Sequence, residues 1–144
     1  MKLSEMSIKY WIDRALEIAT IAHEGQRRKG GGPYIEHPKR IASQVEDRLK
    51  PIALLHDVPE DTKITLEDLK KEGFPSYIIN TIDLLTHKKT DSNQVYWNKI
   101  LINSDAVTVK VLDIKDNLEG SPSDHARLKY AKALELFKKN GYSI

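Results

Sequence analysis

The 144-residue sequence contains no cysteine, which excludes disulfide bonds and zinc sites built from thiolates. It also lacks any stretch approaching the roughly 20 consecutive apolar residues of a membrane-spanning helix. Its first residues lack the apolar core of a signal peptide. A large excess of one charge is missing too, because 23 Lys and Arg stand against 21 Asp and Glu. We therefore expect a cytoplasmic protein with neither a nucleic acid nor a membrane as its partner.

The composition is that of a soluble globular protein, with 40% apolar and 31% charged residues. The length suits one domain over residues 1–144 with a sizeable core. We therefore do not expect a second, regulatory or synthetase domain. Neither an internal repeat nor a linker interrupts the chain.

Apolar residues recur at helical spacing nearly throughout. Proline, capping residues and glycine divide the pattern into segments. The predicted helices start at Ser7, as the cap of the first helix, and near Pro38, Pro51, Thr65, Pro75, Asp91 or Ser92, and Ser121–Asp124. Residues 105–118 alternate and are β-branched, as in a strand, but no partner strand is in sight, so we predict a helix. The expected fold is an all-α bundle of about seven to eight helices.

The stretch ALLHDVPEDT, residues 53–62, turns abruptly from apolar to acidic. His56 and Asp57 follow three apolar residues, and Glu60 and Asp61 come one helical turn later. One interpretation is a helix end that runs into a polar loop with solvated acids. The other is a metal and acid/base site. Carboxylates next to the core are costly without a cation or hydrogen bonds, which favours the second interpretation.

Pro59 lies inside this acidic stretch. It has no N–H to donate to the carbonyl of Leu55, so a continuous helix would be broken or kinked. We predict that the helix ends or bends near Val58, so that Glu60 and Asp61 start a turn. An unbroken helix through residues 52–61 would contradict this prediction.

Two further residues complete a candidate ligand set. His37 lies at a predicted loop-to-helix junction, and Asp113 lies within the apolar segment VKVLDI. Together with His56 and Asp57 they offer two imidazoles and two carboxylates. Such a nitrogen and oxygen set suits Mn²⁺, Fe²⁺ or Zn²⁺, with coordination positions left for water and substrate.

The basic loop GQRRKGGGP, residues 25–33, has two interpretations. Its three cations stand beside glycines that allow close backbone approach, which suits a polyphosphate. The alternative is an exposed charged turn. His23, just before the loop, is predicted to pack beside the site without binding the metal.

These stretches together resemble a known family, the HD-superfamily hydrolase domain of the RelA/SpoT alarmone enzymes. The chain looks closest to the small, hydrolase-only members. The resemblance lies in AHEGQRRKGGGPYIEHP (22–38), ALLHDVPEDT (53–62), ITLEDL (64–69), TIDLLTHKK (81–89) and VKVLDIKDNL (109–118). They follow the family's order and span about two-thirds of the chain.

The resemblance implies an all-α fold and a divalent metal, usually Mn²⁺. It implies hydrolysis of the 3′-pyrophosphate of ppGpp or pppGpp to GDP or GTP and pyrophosphate. By position, the implied metal ligands are His37, His56, Asp57 and Asp113. The implied pair that orients and deprotonates water is Glu60 and Asp61. The implied nucleotide contacts are Arg28, Lys29, Tyr34 and Asn117.

The segment after Asp113 departs from the family. Ile114, Asp116 and Glu119 stand where the family usually has Arg or Lys, His or Tyr, and Arg. A polyphosphate would meet less positive charge at this edge. An HD phosphohydrolase acting on another nucleotide or a phosphate ester is therefore the main alternative. A non-catalytic nucleotide-binding module and an RNA-binding protein are less favoured, because the ligand set is complete and the charge is balanced.

Overall fold

The computed structural model describes residues 3–28 and 30–144. Within these ranges the chain forms helices and no strand, apart from an isolated bridge between Arg27 and Pro33. The α-helices are α1 (Leu3–Ala22), α2 (Glu36–Ala42), α3 (Lys50–Leu55), α4 (Val58–Asp61), α5 (Leu66–Lys71), α6 (Ser76–Leu85), α7 (Asn93–Leu101), α8 (Ser104–Glu119) and α9 (Asp124–Lys139). A 3-10 turn at Asp47–Leu49 precedes α3. The predicted all-α fold is confirmed.

Several helix starts follow from side chains that cap exposed backbone N–H groups. Thr65 and Asp68 form a reciprocal capping box at the start of α5. The side chains of Ser92, Asn103 and Ser123 accept from the third residue beyond them at the starts of α7, α8 and α9. The predicted starts near Thr65, Ser92 and Ser123 are confirmed, whereas the predicted cap at Ser7 is wrong because α1 already begins at Leu3.

The ambiguous segment 105–118 belongs to α8 and is helical along its whole length. Its buried residues recur every three or four positions, as in Ala106, Val109 and Asp113. The strand alternative is wrong because burial on one helical face outweighs the β-branched composition. This helix brings Asp113, Asp116 and Asn117 onto neighbouring positions of one face.

The chain breaks between α3 and α4, as predicted from Pro59. Helix α3 ends at Leu55, and α4 begins at Val58 with Pro59 in its first turn. Asp61 N–H donates to the carbonyl of Asp57, which closes the first turn of α4. The break lies slightly before Val58 and adds one short helix to the predicted seven or eight. It leaves His56 and Asp57 at the junction between the two helices.

The hydrophobic core positions the polar residues of this junction. Helix α3 packs against α1, α2 and α6, while α8 packs against α2, α6, α7 and α9. His37, His56 and Asp113 are all at least 96% buried beside this core. None of the described helices is both long and apolar enough to cross a membrane.

Candidate functional site

The four predicted metal ligands lie together between α2, the α3–α4 junction and α8. His37 Nε2 is 2.8 Å from Asp113 Oδ1, and His56 Nε2 is 3.1 Å from Asp57 Oδ2. One ligand atom from each of the four residues lies within 4.8 Å of the others. The cluster therefore offers a mixed nitrogen and oxygen donor set of the kind that divalent metal ions bind.

Hydrogen bonds fix the orientation of both imidazoles. His56 Nδ1 is 2.6 Å from the Ala53 carbonyl oxygen, and His37 Nδ1 is 2.6 Å from Asp116 Oδ2. Both partners are acceptors, so we assign the hydrogen to Nδ1 in each ring. Each Nε2 then faces the carboxylates, with a lone pair for a metal when the ring is neutral and with an N–H that donates to Asp113 when the ring is protonated. This arrangement, with an acceptor behind each imidazole, is the usual support for a metal-binding histidine.

The charges of the cluster favour a cation at its centre. Burial opposes a proton on His56, but Asp57 and Asp113 outweigh burial and raise the pKa of His56 well above its usual value. Burial likewise opposes ionisation of Asp57, yet the neighbouring His56 leaves the pKa of Asp57 lowered. Two ionised carboxylates at this depth require positive charge nearby. The four residues therefore fit a divalent metal both in donor type and in charge.

Lys110 is a mostly buried cation, with a side chain 16% exposed, that the sequence analysis did not single out. Its Nζ lies 2.9 Å from Asp113 Oδ2 and 5.3 Å from the ring centroid of Tyr96. Burial alone would raise the pKa of Asp113, but Lys110 and the hydrogen bonds from His37 and His56 hold it well below the usual value. The i, i+3 spacing of Lys110 and Asp113 was the available signal.

Asp116 also has a role that its sequence position did not reveal. It accepts from His37 Nδ1, and Arg40 donates to its two oxygens from Nε at 2.8 Å and Nη2 at 3.0 Å. Burial opposes its ionisation, but Arg40 and His37 lower the pKa of Asp116 to about 2. Asp116 therefore remains an anion that supports His37. At this position the chain departs from the family by having an acid. Because Arg40 pairs with this acid, its charge should repel a phosphate little.

The two predicted catalytic acids, Glu60 and Asp61, occupy different surroundings. Glu60 Oε1 accepts from the backbone N–H of His87 at 2.7 Å, which ties α4 to the segment after α6. Asp61 lines the same cavity as Asp57 and Asp113. Partial burial of its carboxyl group, together with the charges of Asp57 and Glu60, raises the pKa of Asp61 to about 6. A carboxyl group with a raised pKa is suited to accepting a proton near neutral pH.

The predicted nucleotide contacts are linked to the metal cluster by hydrogen bonds. The Tyr34 hydroxyl donates to Asp57 Oδ2. Asn117 Nδ2 donates to Asp113 Oδ1 at 3.3 Å, and Arg28 Nη2 donates to Asn117 Oδ1 at 3.1 Å. Lys29 lies outside the described residues. Tyr34 and Asn117 thus contact both the ligand cluster and open space.

Two adjoining cavities provide that space. The first, about 300 Å³, is lined by Asp57, Asp61 and Asp113. The second, about 280 Å³, is lined by Arg27 and Arg28 of the basic loop. The two share the walls Tyr34, Asn117 and Tyr130. The cleft therefore joins an acidic end, which holds the predicted metal ligands, to a basic end.

His23 packs beside the site, as expected from its position. It is 2% exposed, its ring lies 4.7 Å from that of Tyr34, and its Nδ1 is 2.8 Å from Gln26 Oε1. Gln26 in turn donates to the carbonyl of Asp61 at 3.0 Å. His23 therefore steadies Asp61 through Gln26, and the described cluster of ligand atoms does not include it.

Comparisons with known proteins agree with the predicted resemblance. A guanosine-3′,5′-bis(diphosphate) 3′-pyrophosphohydrolase of Haemophilus influenzae is 45% identical over 83% of this chain and 20% of its own length. The enzyme of the same name from Aquifex aeolicus is 32% identical over 75% of this chain and 17% of its own length. The chain spans a fifth or less of the length of the first curated relatives it matches. No protein-family model matches it.

A solved structure shows the same fold. It is that of a metazoan ortholog of SpoT, a protein that hydrolyzes ppGpp and plays a role in starvation responses. The TM-score is 0.70 at 24% identity, and the alignment covers 85% of this chain and 82% of that one. The resemblance to RelA/SpoT-type hydrolase domains, predicted from the motifs, is confirmed.

Proposed function

We propose that the protein hydrolyses the 3′-pyrophosphate of ppGpp or pppGpp, with a divalent metal, Mn²⁺ by preference, as its cofactor. The observation that carries this proposal is the shape and charge of the cleft. Its acidic end gathers His37, His56, Asp57 and Asp113, and its basic end is walled by Arg27 and Arg28. The guanine base of a guanosine 3′-pyrophosphate would occupy the basic end, and its pyrophosphate would lie beside the metal ligands at the acidic end. The curated relatives named above carry this activity in their names.

The roles of the chain's residues follow from their surroundings. A divalent metal, when bound, makes water nucleophilic near neutral pH and offsets phosphate charge. Asp61 accepts the proton of the attacking water, which its raised pKa suits. Glu60, held by the His87 amide, orients that water. Asp116 and the Ala53 carbonyl hold the two imidazoles in the ligating tautomer.

The remaining residues hold the nucleotide. Arg28 and Lys29 contact the guanine end, and Tyr34 and Asn117 contact the nucleotide where the two cavities meet. Water attack on the 3′-pyrophosphate then releases pyrophosphate and leaves a 3′-hydroxyl on GDP or GTP. The proposal includes a cytoplasmic location and no nucleic-acid partner, and both remain predictions from composition.

A second candidate function is hydrolysis of another nucleotide or a phosphate ester. The segment after Asp113 favours it, because Ile114 is fully buried and Glu119 is an exposed acid. Neither side chain offers a phosphate the cation that the family usually places there. A substrate with fewer phosphate groups would depend less on this edge.

The two candidates are separated by their products. The purified protein is incubated with Mn²⁺ and ppGpp, pppGpp or a panel of other nucleotides and phosphate esters, and pyrophosphate and orthophosphate are measured separately. Pyrophosphate from ppGpp, lost in Asp57→Ala, is the expected result. Orthophosphate from other substrates, with no pyrophosphate from ppGpp, would favour the second candidate. Nucleotide binding without turnover of any substrate would contradict both.

A further inference from the structure

A polyphosphate in the first cavity would face mostly negative side chains. The walls of this cavity include four carboxylates, from Asp57, Glu60, Asp61 and Asp113, and two lysines, Lys110 and Lys129. A divalent metal held by the four predicted ligands would offset some of this charge, but a substrate with several phosphate groups needs additional cations. One or more side chains at the cleft must provide these cations.

Most cations near the cleft are already paired with carboxylates. Lys110 is bonded to Asp113, and Arg40 donates two hydrogen bonds to Asp116. Arg28 Nη1 lies 3.5 Å from Asp116 Oδ2. These side chains mainly neutralise the protein's own acids. Their capacity to attract a phosphate is correspondingly reduced.

Lys129 differs from them. It lines the first cavity from α9, is half-buried, and makes no ion pair with any residue that the structure describes. Its Nζ lies 5.0 Å from the ring centroid of Tyr130, a residue shared by both cavities. A lysine held over an aromatic ring at the edge of a cavity keeps its charge available to an anion.

The face of α9 explains why Lys129 reaches this cavity. Ala126 and Tyr130 line the second cavity, Lys129 and Tyr130 line the first, and Ala133 is buried. These positions follow the i, i+3, i+4, i+7 spacing of one helical face. Helix α9 therefore forms one wall of both cavities. On this wall Lys129 provides a positive charge in the cavity that also contains the acids of α4.

We propose that Lys129 binds a phosphate group of the substrate and so replaces, from α9, positive charge that the segment after Asp113 lacks. The inference rests on the proposed function, since it assigns the charge partner of the same anionic substrate. It makes Lys129 a determinant of preference for substrates with several phosphate groups. It predicts that substrate affinity, and not the bound metal, depends on this side chain.

The test compares Lys129→Gln and Lys129→Arg with Lys132→Gln, a matched change one helical turn further along α9 at an exposed position. With Mn²⁺ and ppGpp, Lys129→Gln should raise KM about 10-fold or more, with kcat changed little. Lys129→Arg should recover most of the affinity, and Lys132→Gln should behave as wild type. Equal KM values for Lys129→Gln and Lys132→Gln would overturn the proposal.

A second measurement separates this proposal from the proposed function. Binding of inorganic pyrophosphate to the Mn²⁺-loaded proteins is measured by calorimetry, which needs no turnover. If wild type fails to hydrolyse ppGpp but binds pyrophosphate about 10-fold more tightly than Lys129→Gln, the phosphate role of Lys129 stands and the proposed substrate is wrong. Equal pyrophosphate affinities, or none in wild type, would refute the role of Lys129. Manganese affinity, measured in parallel, should be the same in all four proteins.

Discussion

The two ends of the cleft are built on different principles. At the end with the four predicted metal ligands, called the metal end below, His37, His56 and Asp113 are buried and each has hydrogen-bond partners within the protein. At the nucleotide end, Arg27 lines the second cavity, is exposed, and pairs with no carboxylate among the described residues. Hydrogen bonds within the protein hold the side chains of the first end in place, whereas the second end has a cation that is free to bind the substrate. Substitutions at the metal end should therefore impair metal binding and stability, and those at the nucleotide end should impair substrate affinity.

The largest effect is expected from Asp113→Ala. The change leaves Lys110 buried without its carboxylate and removes a predicted metal ligand. We expect loss of metal binding and a loss of about 3–5 kcal/mol of unfolding free energy, measured by calorimetry and by urea denaturation. Asp105→Ala is the matched control on α8, because Asp105 pairs with Arg48 near the surface and should matter by at most ~1 kcal/mol. Equal destabilisation in the two variants would show that the bonds of the metal end stabilise the fold no more than an ion pair near the surface.

Asp61→Asn tests the proposed proton acceptor, which lines the first cavity beside the predicted metal ligands. Activity should fall about 10²–10⁴-fold with metal affinity unchanged, if Asp61 accepts the proton of water. The stability of the fold, in contrast, should increase in Asp61→Asn relative to wild type when a chelator keeps both proteins free of metal. The pKa of Asp61 is raised to about 6 in the folded state, so its ionisation destabilises the fold increasingly between about pH 4 and pH 6 and fully above that.

The same variant therefore has a pH signature. Above pH 6, Asp61→Asn should be more stable than wild type by up to about 1 kcal/mol, after allowing for solvent screening. The difference should vanish below about pH 4, where wild-type Asp61 is protonated in both the folded and unfolded states. Thermal unfolding across this pH range measures it. A variant that is less stable than wild type at pH 7 would show that the Asp61 carboxylate is not strained by its neighbours.

The metal end could be largely predicted from the sequence, and the reasons are local. His56 and Asp57 follow an apolar run, and Asp113 lies within another, so their burial was expected before their contacts were known. The break at Pro59 followed from a missing N–H group. The all-α fold followed from periodicity, although the break came slightly earlier in the chain than Val58.

The supporting charges could not be predicted in the same way. Arg40 and Asp116 are 76 residues apart, and nothing local to either position indicates that they form an ion pair. Asp116 looked like an additional acid facing the substrate because its sequence position was compared with the family, whereas its tertiary partners decide its role. Lys129 belongs to a helix outside the recognisable motifs. Pairing across distant helices depends on packing geometry, which periodicity does not report.

Asp116→Ala tests how much the hydrogen bond between His37 and Asp116 contributes to metal affinity. Loss of the acceptor behind His37 should weaken metal affinity about 10–100-fold, as is typical when the partner of a metal-binding histidine is removed. Asp116→Asn keeps an acceptor oxygen and should lose less. Glu119→Ala, an exposed acid on the same helix, is the control and should leave metal affinity unchanged. Metal binding is followed by calorimetry with Mn²⁺. Unchanged affinity in Asp116→Ala would mean that Ala53 and the ligands alone orient the site.

The smallest effect is expected from Arg28→Ala, at the opposite end. Arg28 contacts Asn117 and lies near Asp116, but Arg40 keeps Asp116 neutralised when Arg28 is removed. The metal end should therefore be unaffected, while KM for ppGpp rises by roughly 3–10-fold through lost contact with the nucleotide. Arg127→Ala removes the same charge from an exposed position on α9 and should change neither value. A loss of manganese affinity in Arg28→Ala would show that the two ends share their charges, and the separation between them would no longer hold.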